Sequence, residues 1–484
     1  MKPDQPPAIL SAIQRIAWAV FLLALPITSF PYFPPAIGGE ALVRPLALYP
    51  LIILLLLAVL PRLVWRPLPK TIIPLLPFVL VAMASSLLSL LRGIEPALGV
   101  SASIRVLRGM FTLGIGCSIY LTIGLLPDSV DDLRFSLRWI YAGVSLALLW
   151  GSLQAIYIFR YDPTWFNFLD RLQGYISIRH LFVDRISGFA YEPHWFADQI
   201  ILLCLPWSLA AVLSGYTIFP WRWRWLTIEW VLTGWSVLLL PFTYSRAGLL
   251  NLVVLTFFGV LLFRARQRTP SAPPRNQPAA LRPLLPLRRY LDVLLAILIV
   301  VIPMYFVGTR NSFFARIWGY WQKPSVTLTD YLSYLGFDAR VIYGVAALNT
   351  YQAYPILGVG LGNYAFYFEE MLPYRPIYEV PEVLRVTTPE KGRDRLITSK
   401  NFYLRLLAET GIIGAIVFLA FVVTHVGNAV YLRLSSDAEQ RYWGAACLCG
   451  LIAFGLSAFT FDSFVIPNMW VVFGLITAAT RVLK

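Results

Sequence analysis

Apolar runs broken by short polar connections recur along the chain, at residues 12–31, 45–61, 71–91, 106–126, 138–158, 196–214, 225–243, 247–263, 290–308, 411–432, 442–460 and 464–481. Several have about 17 residues, the short end of what a helix needs to cross a bilayer. Unpaired backbone groups are too costly in lipid, so each run is predicted to be a helix. Longer polar stretches break the rhythm at 159–195, 264–289 and 309–410. The second (RARQRTPSAPPRNQPAALRPLLPLRR) is rich in Pro and Arg and is predicted to be a disordered linker.

Composition agrees with this pattern. Of 484 residues, 58% are hydrophobic and 13% charged, where soluble domains carry about 25% charged residues. Mean hydropathy is +0.68. The expected class is an all-α polytopic membrane protein with about twelve transmembrane helices. A net charge of +15 would suggest nucleic acid in a soluble protein. In this class it points to cytoplasmic loops, membrane lipids or an anionic substrate, and no nucleic-acid partner is expected. Cys117, Cys204, Cys447 and Cys449 all fall in apolar stretches, where a thiol behaves as a small hydrophobe. The three histidines have no metal-ligand spacing. The first apolar run lacks a small-residue cleavage site and is read as a retained span.

Lysine and arginine in the short loops set the orientation. With both termini in the cytoplasm, Arg62, Arg66, Lys70, Arg222, Arg224, Arg433, Arg441, Arg481 and Lys484 fall inside, with the arginines of the linker. The organisation is then residues 1–263 as helices one to eight with an outer loop at 159–195, a basic cytoplasmic linker at 264–289, helix nine at 290–308, a large, partly helical outer loop at 309–410, and helices ten to twelve at 411–484. Both outer segments are full of arginine, among them Arg179, Arg185, Arg316, Arg340 and Arg405. Long loops are largely exempt from the charge rule, so ordinary surface charge accounts for many of these.

Four stretches at the outer boundary carry candidate chemistry. In DRISGFAYEPHWFADQI (184–200), His194 and Asp198 are four apart on one helix face, and Glu192 precedes the proline, outside the helix. Arg185, Glu192, His194 and Asp198 make either a site or a hydrogen-bonded cap. In YSRAGLL (244–250), Tyr244 and Arg246 lie at a tight hairpin between two spans, where a snorkelling arginine competes with a functional one. In DARVIYGVAALNTYQAYPILGVGLGNY (338–364), Arg340 begins an amphipathic helix with Val341, Val345 and Leu348 at helical spacing, ending before Pro355. Its GVGLG has Asn363 where a dinucleotide fingerprint needs glycine and follows no strand, so it is read as a tight turn. In ITSKNFYLRLLAETG (397–411), Lys400 sits at a first helical turn, Asn401, Arg405 and Glu409 share a face, and Phe402, Leu406 and Leu407 meet lipid or protein.

No nucleophile–base pair, metal cluster or paired-carboxylate motif appears. The repeated outer-face arginine is the chemical signal. Arginine stays protonated and grips phosphate with a planar fork. Such a set suits a lipid-linked pyrophosphate, because breaking its bond to a sugar releases negative charge that fixed cations stabilise. The base for an acceptor hydroxyl stays open between His194, Lys400 and no residue at all.

These four stretches, RISGFAYEP, YSRAGLL, the Arg340 helix leading to PILGVGLGNY, and KNFYLRLLAETGIIG, resemble in order and spacing the O-antigen ligase and O-antigen polymerase superfamily of bacterial inner-membrane proteins. The resemblance covers roughly residues 184–415. It implies a metal-independent glycosyltransferase of GT-C-like integral-membrane architecture without cofactor, taking a glycan from undecaprenyl pyrophosphate at the periplasmic face. Ligases pass it to lipid A-core, and polymerases to another undecaprenyl-linked repeat unit. By matching positions, Arg185, Arg246 and Arg340 handle pyrophosphate. His194 and Lys400 complete the candidate catalytic set, and Glu192, Tyr244, Asn401, Arg405 and Glu409 the candidate substrate contacts. A flippase and a chain-length regulator are the implied partners. Ligases carry a His-Asn pair where this chain has Lys400-Asn401, which favours a polymerase, or a related enzyme with another acceptor.

Two other classes compete. A small-anion transporter of the bicarbonate kind would place polar groups at mid-bilayer, and Glu229 and His425 lie within spans. A non-catalytic partner in glycan export would use its arginines only to bind lipid headgroups.

Overall fold

The computed structural model describes residues 8–34, 41–65, 67–224, 226–264, 305, 327, 330–331, 337–373, 380–388 and 396–484. In chain order the helices are α1 (Ala8–Ala24), α2 (Leu48–Trp65), α3 (Leu75–Leu90), α4 (Ala102–Leu125), α5 (Val130–Phe159), α6 (Pro163–Gln173), α7 (Pro193–Ser214), α8 (Ile228–Leu239), α9 (Arg246–Arg264), α10 (Asp338–Ala353), α11 (Pro381–Thr387), α12 (Phe402–Leu434), α13 (Ala438–Ser457) and α14 (Pro467–Leu483). The chain is an all-α membrane protein. Among the described residues, α2, α4, α5, α7 and α12 are long and apolar enough to cross a bilayer, and α1, α3, α8, α9 and α14 are shorter apolar helices. A small sheet pairs Arg222–Trp223 with Leu226–Thr227. Every expected apolar run except 290–308 falls on a helix; that run apart from Tyr305, the linker beyond Arg264 and most of 309–336 lie outside the described residues.

Lipid sets the local rules. In α2 and α7 a π-helical turn, Leu55–Val59 and Ile200–Cys204, runs just ahead of a proline. Pro61 and Pro206 have no N–H, so each would strand the carbonyl four residues earlier. Side chains fill both gaps: Gln14 Nε2 donates to Leu57 O at 2.6 Å, and Trp207 Nε1 to Leu202 O at 3.2 Å. The start of α5 is a capping box, in which Ser129 Oγ accepts from Asp132 N and the Asp132 carboxylate from Ser129 N. At the α5-start end of the bundle Arg62 and Arg481 both pair with Asp128, at 2.8 and 2.9 Å. The interior is aromatic around Phe402, Phe418, Phe454 and Phe464. Cys204, Cys447 and Cys449 are buried free thiols, as the apolar reading of the cysteines expects.

The span expected to begin at 411 begins at Phe402 and is broken at Gly411, whose φ of 61° and ψ of −168° are not helical. The glycine-rich segment crosses α12 at this break. Val359 N and Gly360 N donate to the carbonyls of Ala408 and Glu409, both at 2.9 Å, and Ile412 N donates to Pro355 O at 2.8 Å. A Cβ on Gly411 would stand 2.3 Å from Ile356 O, so only glycine allows the crossing. On the other side Ser86 Oγ accepts from Leu361 N at 3.0 Å, Asn363 Nδ2 donates to Ser89 Oγ at 2.8 Å, and Arg92 and Arg105 donate to the carbonyls of Gly358 and Gly362, both at 2.9 Å. The GVGLG turn is therefore a packing wedge between α3, α4 and α12. The helix expected from Arg340 is α10, with a different face inward. Ala339, Ile342, Tyr343, Ala346, Ala347 and Thr350 are buried, and Val341 and Leu348 are exposed. Small residues let α10 lie close to its neighbours, and the larger apolar stripe is turned outward.

Candidate functional site

The polar centre begins at the N-terminus of α7, the helix with the most buried apolar stretch among the candidate spans. Glu192 is its N-cap residue and Pro193 its first. The loop before it is held by Gln154 inside α5, whose Oε1 accepts from Ser187 N at 2.9 Å and Gly188 N at 3.1 Å. Gly188 has a φ of +54°, and a Cβ there would meet the Phe196 ring at 2.6 Å. Arg185 lies at the front of this loop. Its guanidinium rests over Phe182 at 4.9 Å, which Arg179 faces at the same distance. Asp184 approaches Arg185 Nε at 3.6 Å, an ion pair too long for a hydrogen bond.

Backbone pairing brings the second stretch alongside. Ile186 N donates to Phe242 O at 3.0 Å, which docks the Arg185 loop on the turn between α8 and α9. Tyr244 holds this turn in the left-handed region at φ 50°, a conformation uncommon outside glycine. Ser245 Oγ caps α9 by accepting from Gly248 N at 3.1 Å, and Arg246 opens the helix. The Arg246 guanidinium lies over the ring of Phe337 at 5.6 Å, next to the start of α10. Arg340 follows in the first turn of α10. Its Nη1 is buried and donates to no acceptor among the described residues, and the same holds for Arg185 Nε.

Lys400 reaches the same place from α12. The positive charges acting on His194 are Arg340, Arg185 and Lys400. Those acting on Glu192 are Arg179, Arg185 and Lys400. Lys400 does not occupy a first helical turn as expected: Asn401 is the N-cap, and Lys400 precedes it with a left-handed φ of 53°. Its N–H donates to Asp462 Oδ2 at 2.7 Å, which holds this conformation. Its ammonium pairs with Glu382 Oε1 and lies 4.7 Å from the centre of the Tyr343 ring.

Arg185, Arg246, Arg340, Lys400, Glu192 and His194 thus converge at one end of the bundle, with Tyr244 shaping the turn. The remaining candidates serve the protein itself. Asn401 Oδ1 accepts from Leu404 N at 3.1 Å as the α12 cap. Arg405 Nε and Glu409 Oε2 pair at 2.9 Å in the interior. Asp198 is buried below His194 and accepts from Ser457 Oγ at 3.0 Å. Sequence reasoning missed Asp462, Glu382 and Tyr343, and left Arg179 among the ordinary outer-loop arginines. Asp462 had a signal, a lone carboxylate in the short connection that faces Lys400. Glu382 had none, because it sits in a loop whose path the sequence does not reveal. Among the described residues no three His, Cys, Asp or Glu side chains gather to hold a metal ion.

Burial raises the Glu192 carboxyl above its ordinary value of 4.5, against the lowering by Arg179, Arg185 and Lys400. A raised carboxyl binds its proton more tightly folded than unfolded. Its contribution is full below the unfolded value and is lost as pH rises through the folded one. Relative to Glu192→Gln, wild type is therefore expected to lose thermal stability as pH rises above about 4.5. Unfolding in detergent at stepped pH checks the sign; a wild type that gains on the variant would show the arginines outweighing burial.

Residues 231–419 match a family model described as O-antigen ligase. No curated protein matches the chain.

Proposed function

We propose that this chain, whose residues 231–419 match the O-antigen ligase family model, is a member of the O-antigen ligase and polymerase superfamily and a GT-C-like glycosyltransferase of about twelve spans that joins undecaprenyl pyrophosphate-linked repeat units. The carrying observation is the convergence of Arg185, Arg246, Arg340 and Lys400, with Arg185 Nε and Arg340 Nη1 buried and bonded to no acceptor among the described residues. Buried N–H groups without acceptors are costly, and a pyrophosphate oxygen is the kind of partner that repays the cost.

In this reading the donor lies with its pyrophosphate among the arginines. An acceptor hydroxyl attacks the anomeric carbon from the opposite face, the carbon–oxygen bond to phosphate breaks, and the arginines hold the charge that leaves with it. No metal enters the scheme. The site faces the periplasm of a bacterial inner membrane, with both termini cytoplasmic. Glu192 and His194 line the donor side, while Arg405, Glu409 and Asn401 build its floor. Lys400 in the place of the ligase histidine favours a second repeat unit over lipid A-core as acceptor. A flippase supplies the donor and a chain-length regulator sets the product. Transport is disfavoured by what Glu229 and His425 do. Glu229 stands in the first turn of α8 and accepts from Ile218 N at 2.9 Å. His425 is occupied by Phe421 O at 2.8 Å and Thr477 Oγ1 at 3.1 Å.

The test is reconstitution of purified protein with undecaprenyl pyrophosphate-linked repeat units in the presence of a chelator, with product length followed on a gel. Wild type is expected to build a ladder that Arg246→Ala weakens by about 100-fold or more. Lys400→His reports whether this position sets the acceptor. No product with several repeat units, nor with lipid A-core as acceptor, would overturn the reading and return transport to the front.

A further inference from the structure

The structure assigns the missing base to Glu382: we infer that its carboxylate takes the proton of the acceptor sugar hydroxyl, with Lys400 and Tyr343 as the residues that aim it. This rests on the glycan-transfer reading above and supplies the group that reading lacks.

Three separate elements bring these side chains together. Glu382 is the second residue of α11, Tyr343 lies in α10, and Lys400 precedes α12. Lys400 Nζ and the Tyr343 hydroxyl both donate to Glu382 Oε1, the latter at 3.4 Å. Among the described residues no hydrogen bond falls on Oε2. One oxygen is thus pinned and the other is left for a substrate. Burial and the adjacent Glu382 carboxylate raise the Tyr343 hydroxyl above its ordinary value, so it stays a donor to that carboxylate. The Glu382 side chain is 52% exposed and that of Lys400 39%, so an incoming glycan can reach the pair from solvent.

The other candidate bases are poorly suited by position. Lys400 is engaged as an ammonium in the ion pair, and an ammonium has no lone pair to receive a proton. His194 lies among the charges of Arg340, Arg185 and Lys400, so a proton taken there adds one more cation to the group. Glu382 is joined to that group through Lys400. Lys400 acts on Glu192 and His194 at the donor side and bonds Glu382 at the other. The proposed step is a displacement at the anomeric carbon. The acceptor O–H bond breaks with its proton passing to Glu382 Oε2, and the oxygen lone pair forms the new bond to the anomeric carbon. The bond from that carbon to the pyrophosphate oxygen breaks, with its electron pair staying on the pyrophosphate. No oxidant, metal or further reactant is needed.

The test compares wild type, Glu382→Gln and Glu382→Ala, each as the full chain in liposomes with undecaprenyl pyrophosphate-linked repeat units. Rates are taken across pH and with added formate, and thermal unfolding is measured alongside. The expected result is a fall of about 100-fold or more in the Gln variant at unchanged unfolding temperature. The acidic limb of the wild-type pH–rate profile should vanish, and formate should partly restore the Ala variant. A Gln variant within about three-fold of wild type would overturn the assignment, since general-base losses are larger. So would a slow variant that keeps the acidic limb and an Ala variant that formate does not help, since these mark a positioning role alone. A wild type that forms no glycosidic product would instead overturn the glycan-transfer reading itself.

Discussion

Arg340→Ala should cost about 100- to 1,000-fold in transfer rate, the loss expected when one preorganised donor to a developing charge is removed. The same substitution should leave the unfolding temperature unchanged or raise it. Most arginine deletions lower stability because they strand a partner, but among the described residues Arg340 makes no hydrogen bond or ion pair, and its Nη1 is buried without an acceptor there. Its charge faces His194 and Asp198 from the first turn of α10. The folded protein therefore holds one buried N–H of Arg340 without an acceptor at a cost, and removing it relieves that cost. A site that trades stability for function gives this opposed pair of effects. Arg340→Lys should recover only part of the rate, because an ammonium lacks the planar fork that meets two phosphate oxygens at once. Initial rates in liposomes and unfolding in detergent measure the two sides. Parallel losses in rate and stability would mean that Arg340 supports the fold.

The helical framework was legible in the sequence because lipid leaves the backbone few choices. The arginine stretches were legible too, since a cation at an apolar boundary is conspicuous. Faces and partners were not. In α10 the side turned inward is the one carrying Ala339, Ala346 and Ala347. Hydrophobic periodicity favours the larger Val341 and Leu348, whereas packing favours whatever lets backbones approach. At Lys400 the spacing predicts a helical residue, and Asp462, 62 positions away, holds it in the left-handed region instead. Arg405 and Glu409 share a face as expected. That spacing cannot distinguish a pair that meets substrate from one that meets only itself.

The Arg405–Glu409 pair should carry the larger share of stability at this end of the bundle. Arg405 Nε meets Glu409 Oε2 at 2.9 Å, with the side chains 9% and 3% exposed. Arg405 Nη1 also donates to the Asp462 carbonyl, and the guanidinium lies over Phe464 at 4.9 Å. The pair thus ties α12 to the connection that positions Lys400, one turn from the break at Gly411. Replacing either residue leaves the other charge buried without its hydrogen-bonded partner, which costs about 3–5 kcal/mol. The two losses should be unequal. The charge of Glu409 also acts on Arg105, so Glu409→Leu leaves Arg405 and Arg105 to share the Asp462 charge, whereas Arg405→Met leaves Glu409 a remaining cation. Glu409→Leu should therefore be the more damaging. The double variant should regain much of what either single loses, since two apolar side chains carry no desolvation cost. It should fall short of wild type by about 1 kcal/mol, because the Asp462 carbonyl loses its donor. Unfolding of the three variants in detergent gives the coupling directly. Singles that unfold with wild type while activity collapses would instead move the pair into contact with substrate, and the floor of the site would have to be drawn one turn deeper.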